Sequence, residues 1–167
     1  MKTMKDKNLR IISHLRKNAR ESLTKISKKT SIPVSTIFDR LKDFEDSLIT
    51  KHTSLLDFSK LGFVTRANLT IKFSKEHRKD AASFLQKHMH VNSLYKIANG
   101  YDYMAEVIFR DLCEFEKFNE DLEERFDIED IKMFFIVDDI KREEFMADED
   151  LCMMVSKKSL SANARSA

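Results

Sequence analysis

The sequence predicts an α+β protein: an N-terminal three-helix domain with a (winged) helix-turn-helix, followed by a ferredoxin-like domain of β-α-β-β-α-β order. Three observations carry this. Residues 22–49, SLTKISKKTSIPVSTIFDRLKDFEDSLI, read as two short helices joined by a tight turn. From Val64 to Val137, stretches with apolar residues at period two alternate with stretches at helical period. The charge divides along the same line. Through Lys60 there are 14 Lys+Arg against 7 Asp+Glu, a net of +7, whereas Leu61–Glu144 holds 13 against 18, a net of −5. A basic N-terminal third on an acidic remainder fits a nucleic-acid-binding module joined to a different one.

The first helix is expected from about Asp6 to Arg16, where Leu9, Ile12 and Leu15 repeat at threes with Ile11 alongside. Asn18-Ala-Arg-Glu breaks that period, and Ser22 is placed to cap the next helix. In that helix Leu23 and Ile26 share one face and Lys25, Lys28 and Lys29 crowd the other. Ile32 fills the turn. Pro33, the sole proline of the chain, is assigned to the first turn of the third helix, where a missing N–H is harmless and φ is already set. Ile37, Leu41, Phe44 and Leu48 then define the inward face, so Ser35, Asp39 and Lys42 point outward with Thr36 and Arg40 flanking.

A second helix of this kind enters the DNA major groove. Ser35 and Thr36 offer hydroxyl donors to phosphates or base edges, and Arg40 can bond guanine bidentately. Asp39 is read as accepting from a cytosine amine or as orienting Arg40 or Arg20, and Lys42 completes the face. Lys25, Lys28 and Lys29 are assigned to phosphates. The competing reading of these lysines is an ordinary solvated surface.

Residues 50–61 are rich in β-formers and read as an extended wing or linker strand, and Gly62, one of two glycines, opens the second domain. Val64–Phe73 alternates, with Ala67, Leu69, Ile71 and Phe73 on one face. Ser74 is expected to cap a helix through about His88 with Ala81, Phe84 and Leu85 inward. Val91–Ala98 and Asp102–Phe109 are strands around the turn Asn99-Gly100. Leu112–Phe126 is a helix carrying Phe115, Phe118 and Leu122, and Ile131–Val137 is the last strand. Its Met133 and Phe135 point one way and Phe134 and Ile136 the other, which predicts an uncovered apolar sheet face and hence pairing with a second copy. The domains are therefore 1–49, 50–61, 62–144 and a tail 145–167. In the tail, Leu151–Val155 is expected to form one more turn or strand against a partner subunit, and the last ten residues are expected to be disordered.

Other classes find little support. No run of about 18 apolar residues exists, and the charged start MKTMKDKNLR lacks the apolar stretch of a signal peptide, so a cytoplasmic location without membrane insertion is expected. Cys113 and Cys152 lie far apart, in no metal or redox spacing. His88 and His90 lack companions for a metal, and neither a glycine-rich phosphate loop nor a nucleophilic set is present, so no metal, cofactor or enzymatic role is assigned.

With these pieces in order, the chain resembles the Lrp/AsnC (leucine-responsive, feast/famine) family over about Lys5–Arg142. The carrying residues are Asn18-Ala-Arg, Ile32–Glu45 with Arg40, Leu61-Gly62, and Asn99-Gly-Tyr-Asp-Tyr. Two departures stand out: Asp46-Ser47-Leu48-Ile49 has no glycine before Leu48-Ile49, and the turn reads Asn-Gly where Thr-Gly is frequent in the family. The resemblance implies a prokaryotic transcriptional regulator with a RAM-type second domain. It implies double-stranded DNA as partner and homodimers that assemble into tetramers, octamers or larger discs. It also implies an amino-acid or related effector between dimers near the glycine-aspartate turn. Asn99, Gly100, Tyr101 and Asp102 are the residues so marked, with the Asp102 carboxylate suited to an ammonium or, alternatively, to capping its own turn. An architectural protein coating DNA with little sequence preference is the alternative.

Overall fold

A computed structural model describes residues 6–154. They fall into two compact units: residues up to Ser54 together with those from Ile140 onward, and Leu55–Asp139.

In the first unit α1 (Asp6–Lys17), α2 (Leu23–Thr30) and α3 (Val34–Ser47) pack around Ile11, Ile12, Ile26, Ile32, Ile37 and Phe44. The Ser22 side chain accepts from the Lys25 amide, as the sequence predicts. The α2–α3 turn is made by Ser31, whose positive φ of 56° ends α2 through a bond from its N–H to the Ser27 carbonyl. Ile32 is buried between the two helices. Pro33 stands one residue earlier than predicted: it precedes the first helical residue, and its carbonyl receives the Ile37 N–H that opens α3.

The unit is completed from the far end of the chain. A short helix over 149–154 lies against α1, with Cys152 buried and its thiol directed at the Leu9 carbonyl. Arg16 donates to the Glu143 and Phe145 carbonyls and pairs with the Glu143 carboxylate, and Arg10 pairs with Glu149. The tail thus forms a turn of helix, and it lies on its own chain's α1. Leu9 and Ser13, on the α1 face it meets, are thereby buried. The predicted disorder of the last ten residues lies outside the described residues.

In the second unit a 3-10 turn, Phe58–Leu61, ends on Gly62 at φ 86° and leads into a four-stranded antiparallel sheet. The strands β1 (Thr65–Phe73), β2 (Val91–Lys96), β3 (Tyr103–Phe109) and β4 (Ile128–Phe135) stand in the order β2-β3-β1-β4. β1 alternates strictly between buried and half-buried positions. Its inward row, Ala67, Leu69, Ile71 and Phe73, meets Ala105, Val107 and Phe109 of β3. It also meets Ala81 and Leu85 of α4 (Arg78–Lys87) and Phe115, Phe118 and Leu122 of α5 (Leu112–Arg125). This is the β-α-β-β-α-β plan expected from the alternating periods.

Three expectations are corrected. Residues 50–57 hold no strand, because an extended segment becomes one only by pairing and this one pairs with no strand among the described residues. Residues 74–77 form a turn, and α4 starts at Arg78. The His77 ring, which accepts from the Asp127 amide at 2.9 Å, and the Ser74 amide, bonded to the Asp127 carbonyl, hold that turn from across the chain. The bare sheet face is also less apolar than predicted. Met133 and Phe135 do oppose Phe134, but β1 contributes the polar row Arg66, Asn68, Thr70 and Lys72 beside it. There Arg66 is bound by Asp139 and lies 3.1 Å from Glu106.

Candidate nucleic-acid interface and effector turn

The α2–α3 pair presents the predicted face. Lys25, Lys28, Ser35, Asp39 and Lys42 are exposed, and Thr36 and Arg40 are half-buried at its edge. The side chains are not equally available. Lys29 donates to Glu21, which also lies 2.9 Å from the His14 ring. That ammonium, helped by His14, holds the Glu21 carboxyl below the usual carboxylate range. Lys25 and Lys28 have no ion-pair partner among the described residues, so they are the lysines of α2 ready for phosphate. Arg40 pairs with Asp43 at 3.0 Å, one turn onward; Asp39 does not orient it, contrary to one of the two roles read from the sequence. Glu21 and Asp43 thus hold two cations of the candidate face, which the outward spacing on α3 did not reveal.

The charge along α3 limits how it can meet DNA. Val34–Lys42 carries Arg40 and Lys42 against Asp39, whereas the last turn carries Asp43, Glu45 and Asp46 and no cation. Phosphates repel that acidic end, so the first two turns are the part fit to enter a groove. These same turns expose Val34 and Phe38, and the Lys42 ammonium lies 4.9 Å from the Phe38 ring centroid.

At the other candidate site, Asn99 and Gly100 both take positive φ, 66° and 93°, as a two-residue hairpin turn of type I′ requires. A Cβ on Gly100 would meet nothing within 4 Å, so the glycine answers a backbone demand rather than a close approach. Asp102 is committed to the fold. Its carboxylate accepts from the Phe73 amide at 3.0 Å and lies 2.9 Å from Arg78 Nε, and its own N–H donates to the Ile71 carbonyl. The hydroxyl of Tyr101 donates to Asp130 at 2.6 Å, and Lys132 stacks over its ring. The four turn residues are therefore brought together, with Arg78 joining them as a cation the sequence reading left out. A carboxylate and a guanidinium set side by side match the two charges of an amino acid.

Among the described residues no group of three or more His, Cys, Asp or Glu is arranged to hold a metal, and no helix is long and apolar enough to cross a membrane.

Residues 66–145 match the Lrp/AsnC ligand binding domain, and residues 4–47 match a winged helix-turn-helix DNA-binding domain. A transcriptional regulator of Bacillus subtilis, AzlB, is 30% identical over 112 residues, 65% of this chain and 71% of the relative. An HTH-type transcriptional regulator of Pyrococcus furiosus is 29% identical over 114 residues, 68% of this chain and 77% of the relative. Among solved structures, a Neisseria meningitidis transcriptional regulator in complex with L-Met superposes with a TM-score of 0.77 at 23% identity, covering 84% of this chain and 94% of that one. LrpC of Bacillus subtilis superposes at 0.74 with 21% identity, covering 84% and 99%.

Proposed function

Because this chain belongs to the Lrp/AsnC family of transcriptional regulators, we propose that it reads specific sequences in double-stranded DNA through the first two turns of α3, held to the phosphates by Lys25 and Lys28. The observation that carries this reading is the division of charge on α2 and α3: lysines without an ion-pair partner among the described residues and exposed Ser35, Asp39 and Lys42 at one end, three carboxylates at the other. Arg40 contacts a base once Asp43 releases it, and Thr36 and Lys29 act at the edge of the footprint. The protein works in the cytoplasm as a homodimer or larger assembly. Phe134 on the bare sheet face, together with the exposed Leu55 and Leu56, supports self-association. It has no catalytic role.

An amino acid or related metabolite binds at Asn99, Gly100, Tyr101 and Asp102, its ammonium on Asp102 and its carboxylate on Arg78. The complex of the Neisseria relative with L-Met supports this class of effector. Because Asp102 and Arg78 pair with each other, an effector held by both exchanges that contact for two of its own, and it links to DNA affinity through the assembly.

One observation favours an architectural role instead: Lys25 and Lys28, assigned to phosphates, have no ion-pair partner among the described residues, while Arg40 is tied to Asp43. Selection of bound duplexes from a random pool, with and without amino acids, decides between them. A selected consensus resistant to competitor DNA supports the regulator, and an unchanged pool supports the architectural protein. Calorimetric titration with amino acids tests the effector turn; heat that survives Asp102→Ala undiminished refutes the role of that carboxylate.

A further inference from the structure

Among the described residues of α1–α3, the large apolar side chains that stand exposed are Val34, 41% exposed, and Phe38, 48% exposed. Single exposed apolar residues are ordinary on protein surfaces. These two are not scattered. They lie four residues apart, hence on one row of the helix, and Lys42 continues that row one turn further. The row runs along the two turns of α3 that lack the acidic cluster. Phe38 is not needed for the core, which Ile37 and Phe44 supply from the opposite side. The Lys42 ammonium over its ring fixes one side of the side chain and sets a phosphate-seeking charge beside it.

Every base edge in the major groove offers hydrogen-bonding groups, but one alone offers an apolar group: the 5-methyl of thymine. A phenyl ring brought into the groove removes that methyl from water. Against cytosine the same ring meets an amino group whose bond to water it blocks. We infer that Phe38, with Val34 beside it, is a specificity-determining residue that selects thymine at one position of each half-site through contact with its 5-methyl group. This rests on α3 being the DNA-reading helix and adds to that reading a contact made without hydrogen bonds.

The test uses the full chain and a duplex that it has selected from a random pool. Each thymine is replaced singly by deoxyuridine, which keeps every hydrogen-bonding group and removes only the methyl. One replacement per half-site should weaken the parent about fourfold, the worth of one buried methyl-sized group. Phe38→Ala, a surface change that leaves the core intact, should bind the thymine and deoxyuridine duplexes equally. Arg40→Ala should bind more weakly but keep the full sensitivity to deoxyuridine. The inference is overturned if no replacement weakens the parent, or if Phe38→Ala keeps the parent's sensitivity. Should Arg40→Ala lose affinity while no replacement matters, DNA reading by α3 stands and the thymine contact falls. Should neither matter, the reading of α3 falls with it.

Discussion

Replacing Lys28 by alanine removes an exposed ammonium of α2 that has no ion-pair partner among the described residues. Each phosphate so neutralised contributes about 0.9 to the slope of log K against log salt, so the slope should flatten by about 0.9 per copy and about 1.8 for two copies on one duplex. Between about 50 and 200 mM salt this is about 3.5-fold of lost salt sensitivity per lysine, about 12-fold for the pair. Lys29 should behave differently. It must leave the Glu21 carboxylate before it meets a phosphate, so Lys29→Ala should flatten the slope less than Lys28→Ala. Glu21→Gln keeps the shape and removes the competitor, and should steepen the slope. Fluorescence anisotropy at a series of salt concentrations, on the selected duplex and on an unrelated one, measures all three; Lys28→Ala should lose equally on both. A parental slope in Lys28→Ala, or a larger effect at Lys29 than at Lys28, would refute the argument from pairing.

Arg40→Ala should lose about 1–3 kcal/mol on the selected site and relax preference at one position, whereas Asp43→Asn, which frees the guanidinium, should bind at least as well as the parent; the same anisotropy titration reads both. Phe44→Ala, in the core of the helical unit, should cost about 3–5 kcal/mol in urea unfolding; a cost below about 1 kcal/mol would mean that Phe44 is not the core residue described. Burial against Phe118 and Phe84, and then the neighbouring His90, pushes His88 below the usual histidine range, with Asp121 opposing and Arg125 reinforcing. The unfolded chain therefore takes up that proton at higher pH than the folded one, so stability present above pH about 6.5 is lost as pH falls toward the lower folded value. His88→Phe should remove that part of the pH dependence in thermal melts, and an unchanged profile would refute it.

Much of the fold was legible in local spacing. α1–α3 were marked by apolar residues at threes and fours and by one proline between two periods, and β1 by a strict alternation that the burial of Ala67, Leu69, Ile71 and Phe73 repeats. What escaped the sequence depends on distant partners. Whether 50–57 is a strand is decided by a neighbour, not by its β-formers. The turn before α4 is held by Asp127, 50 residues from His77. The outward residues of α3 followed from helical geometry, but their availability did not: spacing allows Arg40 to meet a carboxylate three residues on or to be free, and the choice is made by side-chain conformation. Phe38 fell outside the inward period and could have been noticed for that reason alone.

The closure of the tail on α1 makes the DNA-binding unit discontinuous in sequence, a host domain with the sheet domain inserted into it. Cys152, which covers Leu9, leaves the ribosome 143 residues after it. At about 5–20 residues per second, that cover arrives about 7–30 s after the surface it protects. The three helices emerge before the sheet domain but are completed after it, and a fragment that stops at Ser54 leaves Leu9 and Ser13 facing water. During synthesis, the guest domain can therefore finish its core before the host does.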